Sequence, residues 1–155
     1  MIILGIDPGL NGGIAEYDTE TGHVVIHDMP TMEVTRNGRK KREVNAQLLS
    51  QVIASAYAKK AVVERVGAMP GQGVTSVFSF GRSIGIVEGI LAAYDIPTTI
   101  VVPTVWQKAV SMRGGKDGSR ERATQLFPAQ ANLFSRKKDD GRSDAALIAY
   151  YGATV

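Results

Sequence analysis

Three short β-rich runs open the chain, at 2–6 (IILGI), 13–17 (GIAEY) and 23–28 (HVVIHD), and they are separated by DPGLNG and DTETG. Both separators are rich in the residues that make tight turns, and turns this short join antiparallel neighbours. The chain therefore begins as a three-stranded meander, which limits what the rest can build. Residues 29–42 read as a loop. Leu48, Leu49, Val52, Ile53, Ala56 and Tyr57 then recur at helical spacing behind a cap at Asn45. A buried strand follows at 61–66 (AVVERV), then a flexible MPGQGVT loop, a long helix over 75–94 and a strand at 98–102. A proline-initiated helix at 103–110 leads to a second flexible loop, MRGGKDGS. Helices at 119–127 and 143–151 close the chain, the last ended by Gly152. The order βββ-α-β-α-β-α-α predicts a five-stranded mixed sheet flanked by helices, the last two strands entered through right-handed crossovers.

At 155 residues, 44% hydrophobic and 21% charged, with no repeat or linker, the sequence reads as one domain over 1–155. No apolar run is expected to approach the roughly 20 residues of a membrane span, and no signal peptide is read at the start, so a cytoplasmic protein without membrane contact is expected. Cysteine is absent, so any metal must sit on oxygen or His ligands, and His23 and His27 are the only histidines.

The net charge of +3 conceals a strong pattern. Residues 1–35 hold six acids and no Lys or Arg, 36–43 hold five bases against one acid, and 108–138 hold eight bases against two acids. Two basic clusters beside acidic ends fit a polyanion held next to a cation-binding centre, although basic loops can also be merely solvated.

Four acidic residues in three stretches carry the candidate chemistry. Asp7 ends the first strand in GIDPG, where it serves either as a turn former or as a side chain delivered at the sheet end. Glu64 interrupts an apolar strand, where an uncompensated charge is costly, so it requires a buried partner, an edge position or a cation. Asp140 and Asp144 stand four apart and share a face if the last helix begins by Asp140; like charges at that spacing repel unless a cation joins them, while simple capping is the alternative. An all-oxygen carboxylate set suits Mg²⁺ or Mn²⁺.

IILGIDPGL at the start, the Glu of VVERV, VVPTVWQKAV and DAALIA occur in one order along essentially the whole chain, and in this the sequence resembles the RuvC-like Holliday junction resolvases. AMPGQGVTSVFSFGRSIGIVEGIL is closer to their phage and prophage branch. The resemblance implies a ribonuclease H-like fold, which pattern alone leaves as one α/β option among several. It also implies acidic metal ligands at Asp7, Glu64 and Asp144, two Mg²⁺ ions per site with Mn²⁺ able to substitute, and Asp7 bridging them. The family places an acid or His where this chain has Gly141, so Asp140 is preferred over Asp139 as fourth ligand. The family's wedge Phe falls on Gly67, leaving Met69 as the nearest bulky residue. Gln107 stands in place of its lysine, with Lys108 beside it.

The activity so implied is structure-selective cleavage of four-way and related branched DNA by two-metal hydrolysis, giving 5′-phosphate ends, in a bacterial or phage-infected cell. Arg39, Lys40, Lys41, Arg42, Lys108, Arg113, Lys116, Arg136 and Lys137 are candidate phosphate contacts, and no small-molecule substrate is expected. A homodimer is implied because the substrate is two-fold, and Gly81, Gly85 and Gly89 along one helix stripe allow close packing either across that dimer or on the chain's own sheet. An RNA-processing nuclease of the same fold and a non-catalytic nucleic-acid-binding module are the alternatives. An actin-like ATPase needs paired domains that this length does not hold.

Overall fold

The computed structural model describes residues 1–155. Strands β1 (Ile2–Asp7), β2 (Gly13–Asp18) and β3 (Val24–Asp28) form the expected meander. Helix α1 (Ala46–Ser55) begins where Asn45 caps it, its side chain accepting the Leu48 amide at 3.1 Å. Strand β6 (Lys60–Glu64), helix α2 (Val74–Ala93) and strand β7 (Thr98–Val101) complete a sheet in the order β3-β2-β1-β6-β7, with β1, β6 and β7 mutually parallel. Helices α3 (Pro103–Ala109), α4 (Gly118–Leu126) and α5 (Asp140–Gly152) follow, with short 3₁₀ turns at Pro128–Phe134 and Lys137–Asp139 between the last two.

Strand alternation sorts the core into two layers. Leu4, Ile6, Ala61 and Val63 face α1 and α2, packing with Leu49, Ile53, Val87 and Leu91. Val62 and Ala15 face the other way, toward α5, with Trp106, Leu147 and Ala149. Helix α5 lies against β1 almost backbone to backbone: a Cβ at Gly5 would collide with the Ala145 carbonyl and the Ala149 amide, and one at Gly141 with the Asn11 carbonyl and Gly12. Only small residues permit that approach, and it brings the first turns of α5 over the C-terminal end of β1.

Several expectations are corrected. The segment read as a loop at 29–42 is a hairpin, β4 (Thr31–Arg36) paired with β5 (Arg39–Val44). Its turn is Asn37-Gly38, both with positive φ (51° and 71°), the two-residue connection whose twist suits a hairpin; the surrounding charge, not the turn, makes the segment look unstructured. Leu48 and Tyr57 are exposed, and Tyr57 lies past the end of α1 with φ of 50°. α5 starts three residues earlier than expected, because the preceding 3₁₀ turn feeds directly into it. Gly152 does not end it by a left-handed turn; it is helical and buried, where a Cβ would press on Ile3 and Val62.

α2 is 20 residues long and apolar enough by length and composition to cross a membrane, contrary to the expectation that no run reaches that length. Its two charges, Arg82 and Glu88, do not outweigh its Ile, Val, Phe and Gly content. In the fold, Val87 and Leu91 are core and Arg82 pairs with Glu43 at 2.5 Å. Gly81, Gly85 and Gly89 face open space, so they do not serve packing on the chain's own sheet.

Candidate active site

The register of the central strands decides where the acids go. β1 and β6 run parallel with Ile6 beside Val63, so the next residues, Asp7 and Glu64, lie side by side at the same strand ends. Asp7 follows Gly5 and Glu64 follows Val62 at the two-residue period, which directs both side chains to the α5 face. The close seat of α5 on Gly5 then sets Asp144, one residue before Ala145, over the same corner. Three distant stretches of sequence thus converge on one end of the sheet.

Their surroundings are those of carboxylates that lack a protein counter-charge. Asp7 accepts the Gly9 amide at 3.2 Å and is nevertheless raised above the ordinary carboxylate range, because burial outweighs that bond. Glu64 is also raised, first by burial and further by Asp7, while the Trp106 indole N–H donating at 2.9 Å works the other way. Asp144 is pushed up to about 7 by burial and then by the charge of Asp7, with Glu64 and Asp140 adding to the repulsion and only the Ser119 side chain opposing it. None of the three forms a salt bridge with a lysine or arginine. Glu64 therefore has neither the buried arginine nor the solvated edge that would make it structural.

The remaining acids divide. Asp139 is 1% exposed and gripped by Arg136, whose backbone amide donates at 2.8 Å and whose guanidinium donates at 2.9 Å; burial works to raise it, but these bonds hold it below the usual range. Asp140 is half exposed and receives Arg120 Nε at 2.8 Å, while Arg120 also pairs with Asp117. Asp140 thus pairs with Arg120 and adds to the repulsion on Asp144, whereas Asp139 is occupied in holding the entrance to α5.

The donor chemistry fits a hard divalent cation: buried oxygen ligands, mutually repelling and without a counter-ion, are the groups such an ion stabilises. No three acidic or histidine side chains stand close enough in this structure to share an ion between them.

The basic candidates also divide. Arg39, Lys41, Lys108, Arg113, Lys116 and Lys137 are exposed, and Lys40 is exposed with a long contact to Glu33 at 3.4 Å. Arg42 and Arg136 are exposed as well, but Arg42 donates to the Leu10 carbonyl at 2.9 Å and to Asn11 Oδ1 at 3.0 Å, and Arg136 is paired with Asp139. Met69 is 71% exposed in the loop before α2, and Gly67 faces open space. Sequence reasoning did not single out Trp106, Ser119 or Arg120. Trp106 had a usable signal, being the chain's only tryptophan, one turn into the helix that follows a parallel strand.

No family model matches the sequence. Among curated proteins, the chain is 30% identical over 161 residues to the chloroplastic Holliday junction resolvase MOC1 of Chlamydomonas reinhardtii; the match takes in 85% of this chain and only 18% of the relative's length. Among solved structures, Thermus thermophilus RuvC in complex with a Holliday junction substrate superposes with a TM-score of 0.64 at 15% identity, covering 99% of this chain and 93% of that one. A second Thermus thermophilus RuvC structure gives 0.60 at the same identity and coverage. The meander, the two parallel crossovers and the terminal helix across β1 are accordingly those of RuvC, and the chain has its ribonuclease H-like fold.

Proposed function

We propose that the chain is a Mg²⁺-dependent endodeoxyribonuclease that resolves four-way and related branched DNA. The observation that carries this reading is the convergence of Asp7, Glu64 and Asp144 at one end of the sheet with raised proton affinities and no protein cation. Asp7, Glu64 and Asp144 would hold divalent ions, with Asp140 as a fourth ligand once it leaves Arg120. Bound there, a pair of ions supplies water activation on one side of a phosphodiester and leaving-group stabilisation on the other, which yields 5′-phosphate ends. The protein's own part is to keep the carboxylates dry and oriented: Trp106 orients Glu64 and the Gly9 amide orients Asp7.

Substrate binding would fall to the exposed bases of the hairpin, of the 112–117 loop and of Lys108 and Lys137, whose exposure and charge suit phosphate contacts. A homodimer matches the two-fold symmetry of a four-way junction. α2 supports it by exposing Val74 and Phe78 together with the three outward glycines.

The test is a Mg²⁺ titration of the purified protein against matched four-way, Y-shaped and linear DNA and a structured RNA, with sedimentation velocity on the same sample. Metal-dependent nicking that favours the four-way substrate supports the reading. Preferential cleavage of RNA makes the protein an RNA-processing nuclease, and binding without cleavage at any metal concentration makes it a binding module.

A further inference from the structure

The β4–β5 hairpin is a two-stranded sheet of its own, separate from the main ladder. Over 31–44 it carries Arg36, Arg39, Lys40, Lys41 and Arg42 against Glu33 and Glu43, a net charge of +3. Alternation along β5 divides its side chains. Lys41 and Glu43 share one side, where Glu43 is paired with Arg36 at 3.0 Å and with Arg82 of α2 at 2.5 Å. Arg42 shares the other side with Val44, and Val44 is buried in the core. Lys40 lies on that side as well and is exposed; Arg42 is also exposed, but its guanidinium reaches across to the body of the domain.

There it meets the β1–β2 turn. One guanidinium nitrogen donates to the Leu10 carbonyl and another to the Asn11 side chain, at 2.9 and 3.0 Å. The same turn is closed by the Gly12 amide on the Gly9 carbonyl at 2.9 Å, and the Gly9 amide in turn donates to Asp7. On its other side the turn rests on Gly141 of α5, which has no room for a side chain. The loop carrying Asp7 is thus held between α5 and a single arginine of the hairpin. A planar fork that reaches two acceptors fixes a loop in a way that one ammonium group cannot.

We propose that Arg42 is a positioning residue for Asp7: it braces the turn that aims this carboxylate, and its guanidinium is not a phosphate contact. The hairpin then has two separable tasks, with Arg39, Lys40 and Lys41 holding DNA and Arg42 holding the active-site turn. The inference rests on the nuclease reading for its cleavage readout, but not for its metal-binding readout.

Five proteins test it: wild type, Arg42→Lys, Arg42→Gln, Asn11→Ala and the Arg42→Lys/Asn11→Ala double variant. Arg42→Lys keeps the positive charge and loses the fork, while Asn11→Ala removes one acceptor and changes no charge. Mn²⁺ binding to the DNA-free proteins is measured by calorimetry, junction binding in Ca²⁺ as a function of salt, and single-turnover nicking at saturating enzyme. Each single variant is expected to weaken Mn²⁺ binding and to slow nicking by roughly 10- to 100-fold, the usual consequence of a small misplacement in a site. The double variant should be no worse than Arg42→Lys, because the Arg42–Asn11 contact that Asn11→Ala breaks is already lost with the fork, and all five proteins should keep one salt slope. Wild-type Mn²⁺ affinity and nicking in Asn11→Ala, or additive losses in the double variant, would overturn the proposal. So would a slope that is unchanged in Arg42→Lys but falls by about 0.9 in Arg42→Gln, the value for one lost phosphate contact. A wild type that binds Mn²⁺ and cuts no DNA would sink the nuclease reading alone, and the Mn²⁺ arm would still decide the role of Arg42.

Discussion

Replacing Asp144 by Asn should stabilise the metal-free protein at neutral pH, and the gain should depend on pH in a specific way. Burial and the charges of Asp7, Glu64 and Asp140 raise the Asp144 carboxyl from an ordinary 3.8 to about 7. A group that binds its proton more tightly in the folded state lowers stability as pH rises between its unfolded and folded pKa values. Below pH 4 the carboxyl is protonated in both states and this penalty is absent. From there to pH 7 the wild type loses about 1.4 kcal/mol per pH unit, and above pH 7 the deficit levels off at about 4 kcal/mol. The substituted amide carries no such charge, so urea unfolding in EDTA should give a difference that is small at pH 4, favours the variant progressively above it, and reaches a plateau above pH 7. Divalent metal should then restore the wild type and leave the variant unmoved, since a ligand that binds only the folded state stabilises it by mass action. A difference that stays flat from pH 4 to 8.5, or a wild type that gains on the variant as pH rises, would refute the argument that these carboxylates repel one another without a protein counter-ion.

Asp139 and Asp140 should separate cleanly. Asp139→Asn loses its charge-assisted grip on Arg136 and should cost about 2 kcal/mol by urea unfolding while leaving nicking intact below the transition; Asp140→Asn should keep its stability and lose nicking. Trp106→Phe removes the only side-chain donor to Glu64 and should move the acid limb of the nicking-rate profile to higher pH, read against circular dichroism as the check on folding. Neutralising Arg39, Lys40 and Lys41 together should weaken binding to four-way and duplex DNA alike and flatten the salt dependence by about 0.9 log unit per lost phosphate contact, with single-turnover cleavage at saturation unchanged.

The parts of this fold that were legible in the sequence are those with a strong local signal. The meander is written in turn compositions, α1 in its Asn45 cap and apolar spacing, and β6 in AVVERV. The candidate site was legible in the order of its acids, because an acid at the end of a strand and another inside an apolar strand both require explanation. What was not legible depends on tertiary contact. The hairpin at 31–44 was masked by its charge, although Asn37-Gly38 announces its turn. The neighbourhood of Asp7 and Asp144 depends on Gly5 and Gly141 admitting α5 to backbone contact, and no local pattern states that. The same holds for Arg42, which composition places among the phosphate binders and whose guanidinium the fold sets on Leu10 and Asn11.

The most direct measurement of the central claim is nicking of an end-labelled four-way junction in Mg²⁺ by wild type, Asp7→Asn, Glu64→Gln and Asp144→Asn, with junction binding of each protein followed by gel shift. Each substitution removes one negative oxygen ligand with little change of shape and touches none of the exposed bases. The account predicts metal-dependent nicks from the wild type, none from the three variants, and binding by all four within a few-fold of one another. Near wild-type nicking by any one of the three would contradict it, because the carboxylate that this fold delivers to the end of the sheet would then not be holding the metal.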